Sequence, residues 1–285
     1  MQKADIASIR NRLDRWAHYK PAFLHRARAT GYSRNWTAES AEPPLPAGAI
    51  DNGEMQSRNP LKSYFDSHAE GRGIWKWEHY FEIYHRHLSK FVGRDVHCVE
   101  IGVYSGGSLE MWKEYLGPAS VVYGVDVVPA CRIFEDERTR ISIGDQADRT
   151  FWKRFKERYP VIDVLIDDGG HRPEQMIVTL EEMLPHLRPG GVYLCEDVHG
   201  GSHGFSSYIH ALAATLNANI FNPNNPHAKM ACSPTPFQAA IHSVHLYPYV
   251  VAIEKHDRSL AELVCPRRGT EWCAERDSAW ATSAD

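Results

Sequence analysis

The sequence predicts an α/β fold, in which helices cover both faces of a doubly wound, mostly parallel sheet. Two observations support this prediction. From Val96 onward, short and nearly continuous apolar runs alternate with segments that have the spacing of amphipathic helices, which is the pattern of a parallel sheet buried on both faces. Acidic residues and glycines follow several of these runs, as expected where parallel strands end at one edge of a sheet.

Five apolar segments are predicted to form the parallel strands. In chain order they read VHCVEIGV, SVVYGVDVV, TRISIGD, VIDVLIDD and VYLCED. The segments between them, among them SLEMWKEYL, DRTFWKRFKERY and Pro173 to Leu187, have helical periodicity. Two more strand-like runs lie in FQAAIHSVHLYPYVVAIEK and are joined through Tyr247-Pro248-Tyr249, which predicts a hairpin with an antiparallel edge strand. We therefore expect a Rossmann-like sheet of seven strands.

The region before this sheet differs in composition. An amphipathic stretch from Asp5 to about Arg28 leads into a loop rich in proline and small residues, TAESAEPPLPAGAIDNGE, which cannot continue a helix. We expect three parts: an N-terminal helical arm and linker over residues 1–72, the sheet domain over 73–260, and a C-terminal tail over 261–285. The arm is predicted to act as a lid or an oligomer contact.

Two more helices and one irregular loop are predicted around the sheet. A helix from about Ile74 to Phe91 carries one apolar stripe, predicted to be core or an oligomer contact rather than a ligand site. The stripe consists of Trp77, Phe81, Tyr84 and Leu88. After the fifth strand a helix is expected from Gly204 to about Ile220, followed by the loop NPNNPHAKMACSPTP, which contains too many helix and strand breakers for regular structure.

Composition narrows the classes of function. The 285 residues carry a formal net charge of -4, so a broad basic footprint for nucleic acid is not expected. No apolar run has the length of a membrane span, and the start MQKADIASIRNRLDRW lacks the apolar core of a signal peptide. The 6 cysteines include no C-x-x-C pair, so neither a disulfide framework nor a cysteine zinc site is indicated. We expect a cytoplasmic protein without a membrane or nucleic-acid partner.

The first strand ends in a turn that is suited to a bound ligand. The turn reads EIGVYSGGS and opens a helix. It is not the G-x-G-x-x-G of dinucleotide sites, and an acidic residue before the first glycine suits a cationic ligand with an amino group. Asp126 ends the second strand, where a carboxylate can accept both ribose hydroxyls, and Asp145 with Gln146 ends the third, where they could flank an adenine.

These strand-end residues look like the S-adenosylmethionine site of class I methyltransferases. The alternative is that each acid merely caps the helix that follows it. The candidate cofactor residues are Glu100, Gly102, Tyr104, Ser105, Gly106, Ser108, Asp126, Asp145, Gln146 and Asp168.

Acids also end the fourth and fifth strands. The fourth runs out at Asp167-Asp168-Gly169-Gly170-His171 and the fifth at Glu196-Asp197. Carboxylates that converge in this way repel one another unless a cation intervenes, and oxygen ligands favour a hard ion such as Mg²⁺. Asp168, Glu196 and Asp197 are the predicted metal ligands.

His171 is the predicted general base, because it follows the metal acid Asp168 by three residues and an attacking alcohol must lose its proton. The alternative is a histidine at a helix start that bonds only to the backbone. Asp167 receives no catalytic role. His199 and His203 either shape an acceptor pocket or lie exposed in their loop, and the sequence leaves that choice open.

The chain from about Asn59 to Lys255 resembles the metal-dependent sugar O-methyltransferases of antibiotic biosynthesis, some of whose relatives are labelled cephalosporin hydroxylases. The motifs that carry the resemblance are NPLKSYFDSHAEGRGIWKW, EIGVYSGGS, YGVD, IGDQAD, IDDGGH and RPGGVYLCEDVH. The resemblance implies the same metal ligands, the same base and the same S-adenosylmethionine contacts. It also implies a small-molecule acceptor that is glycosylated or polyhydroxylated. The aromatic helix and the N-terminal arm of this sequence suggest a homo-oligomer.

Other functions remain open from sequence. The acceptor could be a phenol or an amine, and methyl transfer to an amine needs no carboxylate cluster. An iron-dependent hydroxylase could draw ligands from His171, His199 and Asp168, although this would leave Glu196 and Asp197 unexplained. Lastly, the chain could be a non-catalytic subunit that retains the fold. The acceptor and the hydroxyl that is methylated are not predicted.

Overall fold

The computed structural model describes residues 28–30, 32–34, 59–199, 204–217, 230–266 and 268–269. The chain divides into two compact units, Met1–Gln56 and Ser57–Asp285, and the second contains the sheet. The predicted helix from Asp5 to Arg28 lies outside the described residues except for its last position. The unit boundary precedes the expected one at residue 72, because the helix that starts at Pro60 places Leu61 in the core of the second unit.

A seven-stranded sheet organises this unit, and confirms the predicted fold class. The parallel strands are β1 (His97–Ile101), β2 (Val121–Asp126), β3 (Thr139–Ile143), β4 (Val164–Asp167) and β5 (Val192–Cys195). The hairpin of β7 (Ile241–Tyr247) and β8 (Val250–Lys255) closes one edge, with β8 antiparallel to both β5 and β7. The order across the sheet is β3-β2-β1-β4-β5-β8-β7, so the reversed strand β8 lies one place in from the edge strand β7.

Helices cover both faces of the sheet, as predicted. They are α1 (Pro60–Ser67), α2 (Tyr80–Leu88), α3 (Gly107–Leu116), α4 (Arg149–Arg158), α5 (Pro173–Met183), α6 (Gly204–Ala214) and α7 (Pro236–Ala240). Short 3-10 turns occupy Ser89–Phe91, Pro129–Phe134 and Thr215–Asn217. One buried cluster joins α1, α2 and α3 to one face, and a second joins α4, α5 and α6 to the other.

The alternation of side chains along the strands produces these two cores. Cys98 packs into the first cluster and its neighbour Val99 into the second, and Ile166 and Leu165 divide in the same way. Because successive strand residues point to opposite faces, a strand that is apolar throughout must be covered on both sides. The near-continuous apolar runs of the sequence are explained by this arrangement.

Three local predictions were wrong. The helix expected from Ile74 begins only at Tyr80, so Trp77 leaves the predicted stripe and is 54% exposed. The loop expected to lack regular structure contains β6 (Met230–Cys232), which pairs antiparallel with β9 (Leu263–Cys265) in the region expected to be a tail. The start of the predicted hairpin is the short helix α7, because Thr235 and Gln238 form a capping box there.

No helix in the described part of the chain is long and apolar enough to cross a membrane.

Candidate active site

A cavity of about 1000 Å³ lies at the carboxyl ends of the parallel strands. The residues after β1, β2, β3, β4 and β5 form its floor and walls, and the segment 73–80 before and at the start of α2 covers another side. In an open parallel sheet this edge is where ligands bind. The acids predicted to converge therefore do share one crevice, apart from Glu100 and Asp145, which do not line it.

The turn after β1 is held against the turn after β4. Gly102 has φ +89°, and a Cβ atom there would lie 2.1 Å from the carbonyl oxygen of Asp168. Only glycine fits this conformation and this close approach. The first glycine of EIGVYSGGS thus brings the candidate cofactor turn into direct contact with the candidate metal strand.

Asp126 lies at the cavity, and its carboxylate fixes the cofactor turn. Its Oδ2 accepts hydrogen bonds from the backbone N–H groups of Val103 at 2.9 Å and Tyr104 at 3.3 Å, and its Oδ1 accepts one from Val128 N–H at 2.9 Å. These bonds organise the wall in which the candidate residues Gly102, Tyr104, Ser105 and Ser108 also lie. The carboxylate is partly exposed to the cavity.

Three predicted cofactor residues do not line the cavity. Glu100 is fully buried beneath the turn, where it accepts hydrogen bonds from Ser108 Oγ at 2.7 Å and Trp112 Nε1 at 3.0 Å. Asp145 is exposed and caps the backbone N–H of Ala147 at 2.8 Å, and Gly106 is likewise absent from the lining. Asp145 therefore fixes the turn before α4, whereas the helix itself is capped by Asp148, which accepts from the backbone N–H of Thr150.

Asp167, to which the sequence assigned no role, has a structural one. It is buried, and its oxygens accept hydrogen bonds from Gln146 Nε2 at 2.9 Å and Tyr193 OH at 3.2 Å. Burial raises the pKa of Asp167 to about 6, although these hydrogen bonds act in the opposite direction. Gln146 also accepts from the backbone N–H of Gly170 at 2.7 Å. The pair thus fixes the turn that leads to His171.

Asp168, His171 and Asp197 form a group that could hold a metal ion, with one ligand atom of each within 4.8 Å of the others. His171 Nε2 lies 3.8 Å from Asp168 Oδ1 and 3.6 Å from Asp197 Oδ2. The second oxygen of each carboxylate is held by the protein. Lys76 Nζ lies 2.6 Å from Asp168 Oδ2, while Trp77 Nε1 and Tyr80 OH donate to Asp197 Oδ1 at 3.1 and 2.7 Å.

The backbone at this group is strained. His171 and Asp197 both have φ +52°, a region that non-glycine residues occupy at a cost of about 1–3 kcal/mol where the surrounding structure enforces it. Such positions concentrate at functional sites. In both residues the strained turn directs a chemically active side chain into the same cavity.

Lys76 is the main feature of this site that sequence reasoning missed. Its side chain is 3% exposed, and its Nζ lies among three carboxylates, those of Asp168, Glu196 and Glu100. Burial lowers the pKa of Lys76, but the attraction of Glu196, Asp168 and Glu100 outweighs it and raises the pKa above its usual value. The ammonium is therefore charged. A lysine between two tryptophans in IWKWEHYF was the only signal for it.

Glu196, the third predicted metal ligand, lines the same cavity but contacts Lys76. Both of its oxygens face Lys76 Nζ, at 3.1 and 3.0 Å, and the residue is 1% exposed. Burial raises the pKa of Glu196, because one ammonium does not neutralise all the acids around it. Asp168 and Asp197 do come together as predicted, whereas Lys76 occupies the oxygens of Glu196.

Aromatic side chains form the outer wall of the cavity. Trp75, Trp77 and Tyr104 line it and are 89%, 54% and 79% exposed. The Trp77 ring packs against Tyr249 at 5.6 Å between centroids. His199 also lines the cavity and meets Tyr249 at 5.7 Å between ring centroids, but the residue is exposed and lies outside regular structure. His203 lies outside the described residues.

The site fits a hard divalent ion. Asp168 and Asp197 each direct one oxygen toward His171 and have the other fixed by a neighbour, which is how outer contacts usually orient metal ligands. A two-histidine, one-carboxylate iron site does not match this group, because its members in the described part of the chain are two carboxylates and one histidine.

Comparison with known proteins agrees with this geometry. Residues 99–198 match the family model described as Methyltransferase domain. The mycinamicin VI 2''-O-methyltransferase of Micromonospora griseorubida is 36% identical over 122 residues, 40% of this chain and 30% of the relative. The L-olivosyl-oleandolide 3-O-methyltransferase of Streptomyces antibioticus is 37% identical over 142 residues, 47% of this chain and 35% of the relative. The chain thus spans about a third of the length of these relatives.

A solved structure extends the likeness to the fold. The MycE methyltransferase from the mycinamycin biosynthetic pathway, in complex with Mg and SAH, matches with a TM-score of 0.56 and 28% identity, over 70% of this chain and 54% of that chain. Its complex with Mg, SAH and mycinamycin VI matches with a TM-score of 0.54. Residues 99–198 are thus similar to a methyltransferase domain, and the chain resembles the antibiotic sugar O-methyltransferases in sequence and, over 70% of its length, in fold.

Proposed function

We propose that the protein is an S-adenosylmethionine- and Mg²⁺-dependent O-methyltransferase that acts on a hydroxyl of a sugar or a related polyhydroxylated natural product. The observation that carries the proposal is the meeting of Asp168, His171 and Asp197 beside a glycine turn at one end of a methyltransferase sheet. The relatives are named as O-methyltransferases of mycinamicin VI and of L-olivosyl-oleandolide. The solved structure of MycE is a complex with Mg and SAH.

The metal would be held by the acids that end β4 and β5. Asp168 and Asp197 would be two of its ligands, and Glu196 would complete the expected set once Lys76 no longer contacts its oxygens. When bound, Mg²⁺ supplies a Lewis acid that lowers the pKa of a coordinated hydroxyl. Trp77 and Tyr80 orient the Asp197 carboxylate, since both donate to the oxygen that faces away from His171.

His171 would remove the acceptor's proton. Its Nε2 lies between two carboxylate oxygens, and negative charge at this distance stabilises the imidazolium that forms when the ring accepts a proton. The acceptor oxygen attacks the methyl carbon of the sulfonium as the carbon–sulfur bond breaks. The products are a methyl ether, S-adenosylhomocysteine and a protonated His171. A base positioned in this way usually contributes about 10²–10⁴ in rate.

The cofactor would lie along the β1 and β2 side of the cavity. Asp126 is the acid at the cavity that can accept the ribose hydroxyls, and Gly102 gives the ligand close access to the backbone. Gln146 lines the region where an adenine would lie. Glu100 would act from beneath the turn, through Ser108 and the charge it places there.

The acceptor would bind at the aromatic wall. Exposed indole and phenol rings beside the reacting groups suit the apolar face of a sugar ring, and they also suit a planar phenol. A phenolic acceptor is therefore the second candidate. An amine is less well matched, because it does not require the metal group that this site provides.

We further propose a cytoplasmic location and self-association. Cys98, Cys131, Cys195 and Cys265 are free thiols, which is the usual state in a reducing compartment. Size-exclusion chromatography with light scattering would measure the oligomeric state.

The function is tested by a methyl-transfer screen with the purified full chain. S-adenosylmethionine and Mg²⁺ are combined with glycosylated macrolides and polyketides, simple phenols and amines, and products are read by mass spectrometry as the gain of one methyl group. We expect transfer to a glycoside that EDTA abolishes and added Mg²⁺ restores. Transfer to an amine that persists in EDTA would contradict the proposal.

A further inference from the structure

We propose that Lys76 is a placeholder cation, which occupies the oxygens of Asp168 and Glu196 in the metal-free protein and which the divalent ion must displace. This inference rests on the proposed metal dependence. It concerns what the chain does before the metal binds, for which neither the family match nor the relatives' names provide an assignment.

The position of Lys76 is that of a resident counter-ion. Its Nζ lies 2.6 Å from Asp168 Oδ2, 3.0 Å from Glu196 Oε2 and 3.6 Å from Glu100 Oε1, with the side chain 3% exposed. Among the described residues, Lys76 is the only cation in an ion pair with Glu100 or Glu196, which are 0% and 1% exposed. An uncompensated buried charge is strongly destabilising. Lys76 therefore permits the acids to converge while no metal is present.

The same contacts make Lys76 compete with a divalent ion for the carboxylate oxygens. Asp168 and Glu196 are two of the three acids predicted to bind the metal, and Lys76 holds one oxygen of the first and both oxygens of the second. A divalent ion that takes these oxygens must remove the ammonium from them. Glu100 offers the ammonium a remaining partner that does not line the cavity. The affinity for metal is then the difference between two cations that compete for one set of oxygens.

Lys113 provides a matched control. Its side chain is 6% exposed and, like Lys76, it is paired with more than one carboxylate, here those of Glu110 and Asp136. It belongs to α3 and does not line the cavity. Variants at Lys76 and at Lys113 both lose a buried, ion-paired lysine. Only the variants at Lys76 leave the oxygens of Asp168 and Glu196 without this ammonium.

The experiment measures manganese binding by the full chain with neither S-adenosylmethionine nor acceptor present. Free Mn²⁺ is followed by electron paramagnetic resonance for the wild type, Lys76→Met, Lys76→Gln and Lys113→Met, after treatment with EDTA and removal of the chelator. Thermal unfolding is recorded with and without Mn²⁺. Lys76→Gln retains a polar side chain, and its Mn²⁺ affinity decides the test if Lys76→Met does not fold.

We expect both Lys76 variants to bind Mn²⁺ at least about tenfold more tightly than the wild type, because a competing positive charge close to the ion has been removed. Their metal-free forms should unfold at lower temperature than the wild type, and Mn²⁺ should raise their midpoints by more. Lys113→Met should bind Mn²⁺ as the wild type does. Equal or weaker binding by both Lys76 variants overturns the inference alone, whereas absence of binding by every protein overturns the proposed metal dependence with it.

Discussion

The two sides of the cavity are built in different ways. On the β1 and β2 side, hydrogen bonds hold the turn: Asp126 accepts from the N–H groups of Val103 and Tyr104. Beneath the turn, Glu100 accepts from Ser108 and Trp112 and also contacts Lys76. On the β4 and β5 side, acids outnumber their cation, and two of the active side chains stand on strained backbone. The first side is complete without a ligand, whereas the second has an excess of negative charge.

This difference suggests a division of labour. A turn whose hydrogen bonds are already satisfied can receive a cofactor without rearrangement. A cluster with excess negative charge favours a bound cation, and so is suited to hold the metal ion that the chemistry requires. We infer that the first side determines cofactor affinity and that the second determines turnover.

The largest expected effect comes from removing the proposed base, which tests whether the second side determines turnover. His171→Ala should reduce turnover by about 10²–10⁴-fold, and should leave the affinity for S-adenosylmethionine within about twofold, because His171 belongs to the second side. Turnover is measured with saturating cofactor and affinity by calorimetry. His186→Ala is the control, since that histidine pairs with the Tyr159 carbonyl oxygen outside the cavity. Equal turnover by the two variants would remove His171 from the mechanism.

Asp126→Asn tests the first side. A lost charge-assisted bond to a ribose hydroxyl is worth about 1.5–3 kcal/mol, so cofactor affinity should fall by about tenfold to a hundredfold, while turnover at saturating cofactor changes little. Asp145→Asn serves as the control and should retain wild-type affinity, because Asp145 caps Ala147 and does not line the cavity. A larger loss of affinity in Asp145→Asn would restore the role that the sequence predicted for it.

Trp77→Phe tests whether the hydrogen bond from the indole to Asp197 supports metal binding on the second side. It retains an aromatic ring at the wall but removes the N–H that donates to Asp197 Oδ1. A hydrogen bond to a carboxylate of this kind contributes about 1.5 kcal/mol, so the apparent affinity for Mg²⁺ should fall by about tenfold. Trp75→Phe changes a neighbouring, 89% exposed ring of the same wall and should keep wild-type metal affinity. If both variants behave alike, the indole acts only as a surface for the acceptor.

The smallest expected effect concerns a charge cluster at the opposite end of the sheet. Glu254 pairs in register with Val192, at the start of β5, and its carboxylate contacts His87 and Lys90, with His245 nearby. The hydrogen bond from His87, together with Lys90, lowers the pKa of Glu254 to about 2. This stabilisation is therefore complete above about pH 4.5 and is lost as the pH falls toward 2.

Glu254→Gln should reveal this pH-dependent stabilisation as a difference in stability between the variant and the wild type. The variant should unfold in less urea than the wild type at pH 7, and the gap should narrow as the pH falls through that window, while turnover at pH 7 is retained. A gap that stays constant with pH would mean that the ionised form of Glu254 contributes nothing to stability.

The sequence predicted the sheet well and placed Gly102 and Asp126 at the cavity, because both results depend on local patterns, although Glu100, Gly106 and Asp145 do not line it. Apolar runs with strand length predicted β1 to β5, and the glycine turn and Asp126 follow directly from the ends of two strands. The convergence of Asp168 and Asp197 also follows from topology, since β4 and β5 are parallel neighbours. No long-range information was needed for any of these.

The second side could not be predicted fully, because one of its parts comes from far away in the chain. Lys76 reaches Glu196 across 120 positions, and no local period distinguishes a buried lysine from one on the exposed face of a helix. The error in the start of α2 had the same origin: the aromatic spacing continued back to Trp77, but Trp77 is used at the cavity and not in the core. Only the tertiary contacts show that the charged side chain of Lys76 is buried among carboxylates.

The division of labour is tested most directly by calorimetric titration of S-adenosylmethionine into EDTA-treated protein, with and without Mg²⁺, on samples whose methyl transfer is assayed in parallel. If the two sides act separately, the cofactor affinity is the same within about twofold in both conditions, and transfer occurs only where Mg²⁺ is present. Loss of cofactor binding in EDTA would contradict this division, because the first side would then depend on the metal held by the second.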